Sequence, residues 1–172
     1  MVLKKINLEV VYETFDWDKK VFRDLANEAI SSTLSHLGYN PAIFEIAILT
    51  CDDNKIAELN YQFCNNKTKT NVLSWPELNL SAKKSGELPA SIPITRGDTM
   101  FLGNIAICYQ YIKNEAEVQN KKFQDHVFHL LVHSTLHLLG FVHKLELDAN
   151  IMEKIEVEIL AKASISDPYR IH

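Results

Sequence analysis

The sequence predicts an α+β fold, in which one sheet is covered by helices within a single domain spanning residues 1–172. Three observations support this prediction. The chain of 172 residues is long enough to bury one sizeable core and too short for two. Strand-like segments come early in the chain and helical segments come late. The hydrophobic fraction of 47% and the charged fraction of 23% are typical of a globular protein.

The chain is predicted to begin with a strand and a long helix. Apolar and polar side chains alternate over residues 6–12, which predicts a half-buried strand. Apolar residues then recur at helical spacing, with Asp16 as the predicted N-cap. Gly38 and Pro41 predict the end of this helix, because glycine readily adopts the left-handed C-cap conformation and proline cannot continue a helix.

Two further strands, a short helix and a long loop follow. The apolar run over residues 43–50 predicts the second strand, and Asp52 or Asp53 is predicted to open a short helix. Residues 72–75 predict the third strand. Over residues 76–98, serine, proline, glycine and lysine replace periodic apolar residues, which predicts a long loop. Long loops in compact domains are usually functional or mobile.

The last part of the chain is predicted to be mostly helical. A fourth strand is predicted over residues 101–108. Helices are predicted over residues 109–118, 123–139 and 147–163, and Asp167–Pro168 lies beyond the last helix. The whole pattern therefore predicts four strands and about five helices.

The composition excludes several classes of protein. No apolar run approaches the ~20 residues that cross a bilayer, so we expect a cytoplasmic protein with no membrane partner. The net charge of −4 argues against binding nucleic acid by bulk electrostatics, although a local basic patch remains open. Three cysteines without a CxxC pairing predict free thiols rather than disulfides, namely Cys51, Cys64 and Cys108.

Five of the seven histidines lie in one short segment, which predicts a metal site. His129, His133 and His137 recur every fourth residue, so neighbouring members stack about 6 Å apart on one helical face. These three cannot share an ion, because the outer two would be about 12 Å apart. Gly140 can end the helix and let His143 return beside His137. We therefore predict His133, His137 and His143 as the ligands, with His129 one turn away as a supporting or packing residue.

Three neutral imidazoles leave one tetrahedral position for water, as in catalytic zinc sites. Zinc is the predicted ion, although nickel, cobalt and copper suit the same ligands. Ser134 stands where a zinc peptidase of the H-E-x-x-H type needs its glutamate, so cleavage of a phosphodiester is favoured over cleavage of a peptide. Outside this pattern, we expect His36, His126 and His172 to be ordinary packing residues.

Four stretches of the chain resemble the YbeY family of bacterial metal-dependent endoribonucleases. They are His133–His143 (HSTLHLLGFVH), Thr70–Pro76 (TNVLSWP), Leu102–Ile105 (LGNI) and Asp167–Tyr169 (DPY). The resemblance implies a mixed four-stranded sheet and one zinc ion held by His133, His137 and His143. It also implies cleavage of single-stranded RNA during maturation of small-subunit ribosomal RNA and in ribosome quality control. The implied partners are ribosomal RNA and the small ribosomal subunit, with no DNA expected.

The chain departs from the family's pattern at several positions near the expected cleft: Asn71, Trp75, Asn104, Ser134, Val142 and Cys64. At position 64 the family has an arginine, and a thiol cannot clamp a phosphate as a guanidinium does. We interpret Cys64 as a small buried residue that fills the arginine's space, with an added zinc ligand as the alternative.

No catalytic side chain is assigned beyond water on the metal. Lys67, Lys69 and Arg96 are predicted to bind substrate in place of the missing arginine. A non-catalytic ribosome-assembly factor that retains the metal site is the alternative function, and hydrolysis of another ester or amide is a third.

Overall fold

The computed structural model describes residues 4–170 of the chain. It contains four strands and five α-helices, in this order: β1 (Asn7–Tyr12), α1 (Lys19–His36), β2 (Phe44–Cys51), α2 (Asp53–Cys64), β3 (Val72–Pro76), β4 (Met100–Cys108), α3 (Tyr109–Val118), α4 (Phe123–Leu138) and α5 (Glu146–Lys162). A 3₁₀ turn at Pro41–Ile43 connects α1 to β2. The predicted α+β class and the predicted number of elements are both confirmed.

The four strands form one mixed sheet in the order β1, β2, β4, β3. β1 and β4 both run parallel to β2, whereas β3 runs antiparallel to β4. Alternate side chains of β4 face opposite sides of this sheet, as the pleat requires. Ile105 and Ile107 join the main core, and Ala106 and Cys108 join a smaller cluster with Ile56 of α2.

Helix α4 is the most deeply buried helix of the described chain. Ten of its residues are buried, and it packs in the main core with side chains from α1, α5 and the sheet. Its partly exposed residues include His129, His133 and His137, which lie on one face. Helix α4 therefore holds the histidine row rigidly, because packing on its other faces fixes its position.

The structure corrects one predicted cap and refines the long loop. Asp18 caps α1, not Asp16, because the helix begins at Lys19 and the Asp18 carboxylate accepts a hydrogen bond from the Val21 backbone at 3.0 Å. No strand or helix occurs between β3 and β4, as predicted, yet this loop is anchored because Leu80 and Ile92 are buried in the main core. Within residues 4–170, no helix combines the length and apolarity that crossing a membrane would need.

Candidate metal centre

The C-terminal turn of α4 directs the chain back toward its own last turn. Gly140 has φ +93°, and the Phe141 backbone N–H donates to the Leu136 carbonyl at 3.0 Å while the Gly140 N–H donates to the His137 carbonyl at 3.0 Å. These two bonds form a Schellman motif, which requires a left-handed residue and so favours glycine. The turn brings His143 back to the end of the helix.

The same turn fixes the orientation of one imidazole. The His137 Nδ1 atom lies 2.9 Å from the carbonyl oxygen of Phe141, which can only accept a hydrogen bond. His137 therefore carries its proton on Nδ1, and its Nε2 presents a lone pair. Burial, followed by the nearby imidazole of His133, lowers the pKa of His137 to about 4. The ring is thus neutral at neutral pH, as a metal ligand must be.

A carboxylate fixes His133 in the same tautomer. Its Nδ1 lies 2.6 Å from Oε1 of Glu156, a residue of α5 with 0% exposure. Burial alone would raise the pKa of Glu156, but hydrogen bonds from His129, His133 and Tyr169 lower it to about 2. The carboxylate is therefore ionised at neutral pH and accepts the Nδ1–H of His133, and in the neutral form of this ring Nε2 then carries the lone pair.

The resulting geometry fits a divalent cation. Nε2 of His137 lies 3.0 Å from Nε2 of His133 and 3.1 Å from Nε2 of His143. When each of these rings is neutral with its proton on Nδ1, the Nε2 lone pairs of His133 and His137 face each other, and a cation between them would relieve their repulsion. An ion bonded tetrahedrally at about 2.0–2.1 Å would separate the nitrogens by about 3.3 Å. The three imidazoles thus form a donor set suited to zinc.

The fourth histidine of the row contacts the same carboxylate from the other side. His129 Nε2 lies 3.1 Å from Glu156 Oε2, which also accepts a hydrogen bond from the Tyr169 hydroxyl. The ligand atoms of His129, His133 and Glu156 lie close enough together for a second metal grouping. His133 Nδ1 and His129 Nε2 already face the carboxylate as hydrogen-bond partners, however, so the trio of His133, His137 and His143, whose Nε2 atoms face one another, is the better site.

A groove of about 770 Å³ opens over the three Nε2 atoms. Two lysines line it, Lys121 and Lys144, and neither forms an ion pair within residues 4–170. The one carboxylate among the groove's lining residues is Glu115, which pairs with His126 at 2.7 Å. The groove therefore carries a local positive charge although the chain has a net charge of −4.

The predicted substrate-binding residues lie elsewhere. Lys69 pairs with Asp53 at 3.0 Å, and Lys67 lies over the Tyr61 ring at 4.9 Å from its centroid. Arg96 is exposed in the long loop, and none of these three cations lines the groove beside the histidines.

The buried environment expected for Cys64 is wrong. Its side chain is exposed at the end of α2 and lines the groove, since the last turn of that helix faces solvent and not the core. Cys64 belongs to neither candidate metal grouping in the described residues. Position 64 is therefore accessible in the groove wall.

The remaining histidines have ordinary partners. His36 pairs with Glu158 at 3.0 Å on the surface, and His126 is buried against Glu115. Glu115 also accepts a hydrogen bond from Asn71 at 3.0 Å, which ties the start of β3 to α3 and α4. His172 lies outside the described residues.

Sequence reasoning missed Glu156 and Tyr169. A signal for Glu156 was present, because it lies four residues from both Met152 and Leu160 and so interrupts the buried stripe of α5 with a charge. Tyr169 was part of the DPY stretch that resembles the family, but its contact with Glu156 was not predicted, because that contact depends on how the chain after α5 folds back.

The fold and the site together define a class: an α+β protein with a three-imidazole metal-binding geometry in an open groove. A sequence profile described as Endoribonuclease YbeY matches residues 7–164. A protein of Ruegeria sp. named Endoribonuclease YbeY is 44% identical over 164 residues, which cover 95% of this chain and 96% of that protein. A protein of the same name from Bartonella quintana is 38% identical over 165 residues, covering 95% and 97%.

The chain belongs to the endoribonuclease YbeY family. The resemblance seen in its four motifs is thereby confirmed. A solution structure of a Thermotoga maritima protein shares the fold, with a TM-score of 0.53 and 17% identity over 95% of this chain and 99% of that one. At that identity the likeness concerns the fold alone.

Proposed function

We propose that this protein is a zinc-dependent endoribonuclease that cuts single-stranded RNA in the cytoplasm, in maturation of small-subunit ribosomal RNA and in ribosome quality control. The observation that carries the proposal is the convergence of the Nε2 atoms of three imidazoles within a positively charged groove. Membership of the family supports RNA as the substrate, since its named members are endoribonucleases.

The shape of the groove supports a polymeric substrate. A second groove of about 610 Å³ shares lining residues with the first, among them Lys121 and His126. It extends toward Lys122 and Arg170, and its three cations outnumber its two carboxylates, Asp125 and Asp167, along a path that leads away from the histidines. A strand that lies across the histidines can therefore continue in this direction, with its phosphates near positive charge.

In this proposal each group has a distinct task. His133, His137 and His143 hold the ion, which supplies Lewis-acid chemistry to a phosphodiester and to water when bound. Lys121 and Lys144 contact the phosphates on either side of the cleaved bond, because they are the unpaired cations of the groove. Lys67, Lys69 and Arg96 stay a competing prediction for this role.

A cleavage assay tests the proposal. Zinc-loaded protein is incubated with a single-stranded RNA and with the matching duplex, and we expect products from the single strand only. His133→Ala should abolish cleavage, whereas His36→Ala should leave it unchanged because His36 lies on the surface away from the groove. Cleavage that persists in the His133→Ala protein would overturn the proposed role of the metal site.

One observation favours the alternative of a non-catalytic ribosome-assembly factor. Cys64 is exposed in the groove wall, where the family places an arginine, so a cationic contact to the phosphate is missing. In the assay above, zinc-loaded protein that binds single-stranded RNA or small ribosomal subunits without cutting either would establish this alternative.

A further inference from the structure

A buried acidic side chain lies behind the candidate metal ligands. Glu156 is 0% exposed, and its two oxygens accept hydrogen bonds from both His133 and His129. It has no place among the predicted ligands, and its charge is unusual for the core side of a helix. Its position therefore calls for a function beyond packing.

We propose that Glu156 is a positioning residue of the metal site, which keeps His133 in the tautomer that can bind a divalent cation and balances the cation's charge. This inference rests on the proposed function, in that it takes His133 as a ligand. Ligand histidines commonly donate their second ring N–H to a carboxylate, which orients the ring and increases the basicity of the ligating nitrogen. The 2.6 Å contact between His133 Nδ1 and Glu156 Oε1 has this geometry.

The charge of Glu156 supports the same conclusion. A buried carboxylate is costly unless an opposite charge lies close to it. Within residues 4–170, the basic side chains within 4 Å of the Glu156 oxygens are the imidazoles of His129 and His133, and no lysine or arginine lies within that distance. A cation on the far nitrogen of His133 would place a positive charge one ring away from this carboxylate.

The segment after α5 completes this arrangement. Tyr169 donates its hydroxyl to Glu156 Oε2, and its ring packs edge-on against His129 with centroids 5.7 Å apart. Both oxygens of the carboxylate are thereby occupied, so Glu156 cannot easily rotate away from His133. The Tyr169 contact should therefore contribute to metal affinity although Tyr169 is not predicted to touch the ion.

Zinc affinity tests the inference directly. Metal-free wild-type protein and the Glu156→Gln variant are titrated with zinc in competition with a chromophoric chelator. We expect the variant to bind zinc about 10- to 100-fold more weakly. Glu158→Gln is the matched control, because Glu158 lies on the same helix and pairs with His36 on the surface. We expect its affinity to equal that of the wild type.

A second readout separates positioning from general damage to the fold. Long-range ¹H–¹⁵N spectra of the metal-free proteins report which ring nitrogen carries each imidazole proton. In the wild type we expect the proton of His133 on Nδ1 and that of His129 on Nε2. A glutamine amide offers one acceptor oxygen in place of two, so at least one of these rings should change its tautomer in Glu156→Gln.

The outcomes are distinguishable. If the wild type binds zinc and Glu156→Gln binds it within twofold, with unchanged tautomers, the positioning role is wrong while the metal site stands. If the wild type itself binds no zinc, the proposed function fails first. If Glu156→Gln does not fold, the Tyr169→Phe variant is titrated with zinc instead. A zinc affinity of Tyr169→Phe at least threefold below that of the wild type supports the positioning role. An unchanged affinity overturns it.

Discussion

At the scale of single residues, the site depends on which nitrogen of each ring carries the proton. The grouping of His133, His137 and His143 could be predicted from the sequence, because it follows from helical geometry and the turn at one glycine. The groups that determine which nitrogen carries the proton could not be predicted from the sequence. One is a backbone carbonyl, that of Phe141, and the other is Glu156 on a different helix, so neither has a signature in the histidine segment.

An arginine at position 64, where the family resemblance implies one, should strengthen RNA binding. Cys64 is exposed in the groove, so Cys64→Arg can extend a guanidinium toward a phosphate without disturbing the core. We expect the affinity for single-stranded RNA to rise about fivefold to tenfold, since a charged hydrogen bond contributes about 1.5–3 kcal/mol before its ordering cost. Fluorescence anisotropy measures the change, and Cys64→Ser is the uncharged control. Equal affinities for both variants would argue against a phosphate near position 64.

The stability of the metal-free protein should depend on pH through Glu156. The pKa of this carboxyl is lowered to about 2 from an ordinary 4.5, so its ionised form stabilises the fold above pH 4.5, and this contribution is lost as the pH falls toward 2. The full contribution is on the order of 3 kcal/mol. Urea unfolding at pH 7 and pH 3 should show that Glu156→Gln is less stable than the wild type at pH 7 and that the difference falls to less than half at pH 3, where the folded-state carboxyl is still mostly ionised. A difference that is the same at both pH values would contradict this explanation.

At the scale of elements, the end of α4 links the helix to the long loop. The sequence predicted that Gly140 ends the helix, but it could not predict that Leu80 packs against that glycine from 60 positions earlier. A Cβ added at Gly140 would lie 2.7 Å from the Leu80 carbonyl carbon. The predicted loop is therefore anchored at the very turn that returns His143 to the site.

Two glycine substitutions separate backbone strain from this contact. Gly38 and Gly140 both have positive φ values, but a Cβ at Gly38 would meet nothing within 4 Å. We expect Gly38→Ala to lower the free energy of unfolding by about 1–2 kcal/mol through strain alone. Gly140→Ala should lose a further ~1–3 kcal/mol from overpacking and should also weaken zinc binding. Thermal unfolding and zinc titration measure both effects, and equal losses in the two variants would exclude a special role for the Leu80 contact.

At the scale of the whole molecule, local periodicity predicted the elements well and their arrangement poorly. The number and positions of strands and helices followed from hydrophobic spacing, because each element buries one face. The strand order β1, β2, β4, β3 depends on contacts between distant segments, and the mixed sheet was implied by family resemblance and not by spacing. The site shows the same limit, since α5 and Tyr169 reach it only through the tertiary fold.

The charge of the groove should govern RNA binding by the whole protein. We expect the double variant Lys121→Ala/Lys144→Ala to bind single-stranded RNA at least tenfold more weakly than the wild type. The affinity of this variant should also depend less on salt, because the slope of log K against log salt becomes less negative by about 0.7 for each lysine removed. Lys67→Ala/Lys69→Ala removes the same charge outside the groove and should change binding less than twofold. Filter binding over a range of salt concentrations measures both, and the reverse result would favour the loop lysines as the substrate contacts.

The most direct test of the metal centre is an anomalous diffraction experiment on crystals of the zinc-loaded protein at the zinc absorption edge. We expect one ion bonded to Nε2 of His133, His137 and His143, each at about 2.0–2.1 Å, and no ion in His137→Ala crystals. An ion held instead by His129 and Glu156, or imidazole rings turned away from one another with no ion between them, would contradict the account.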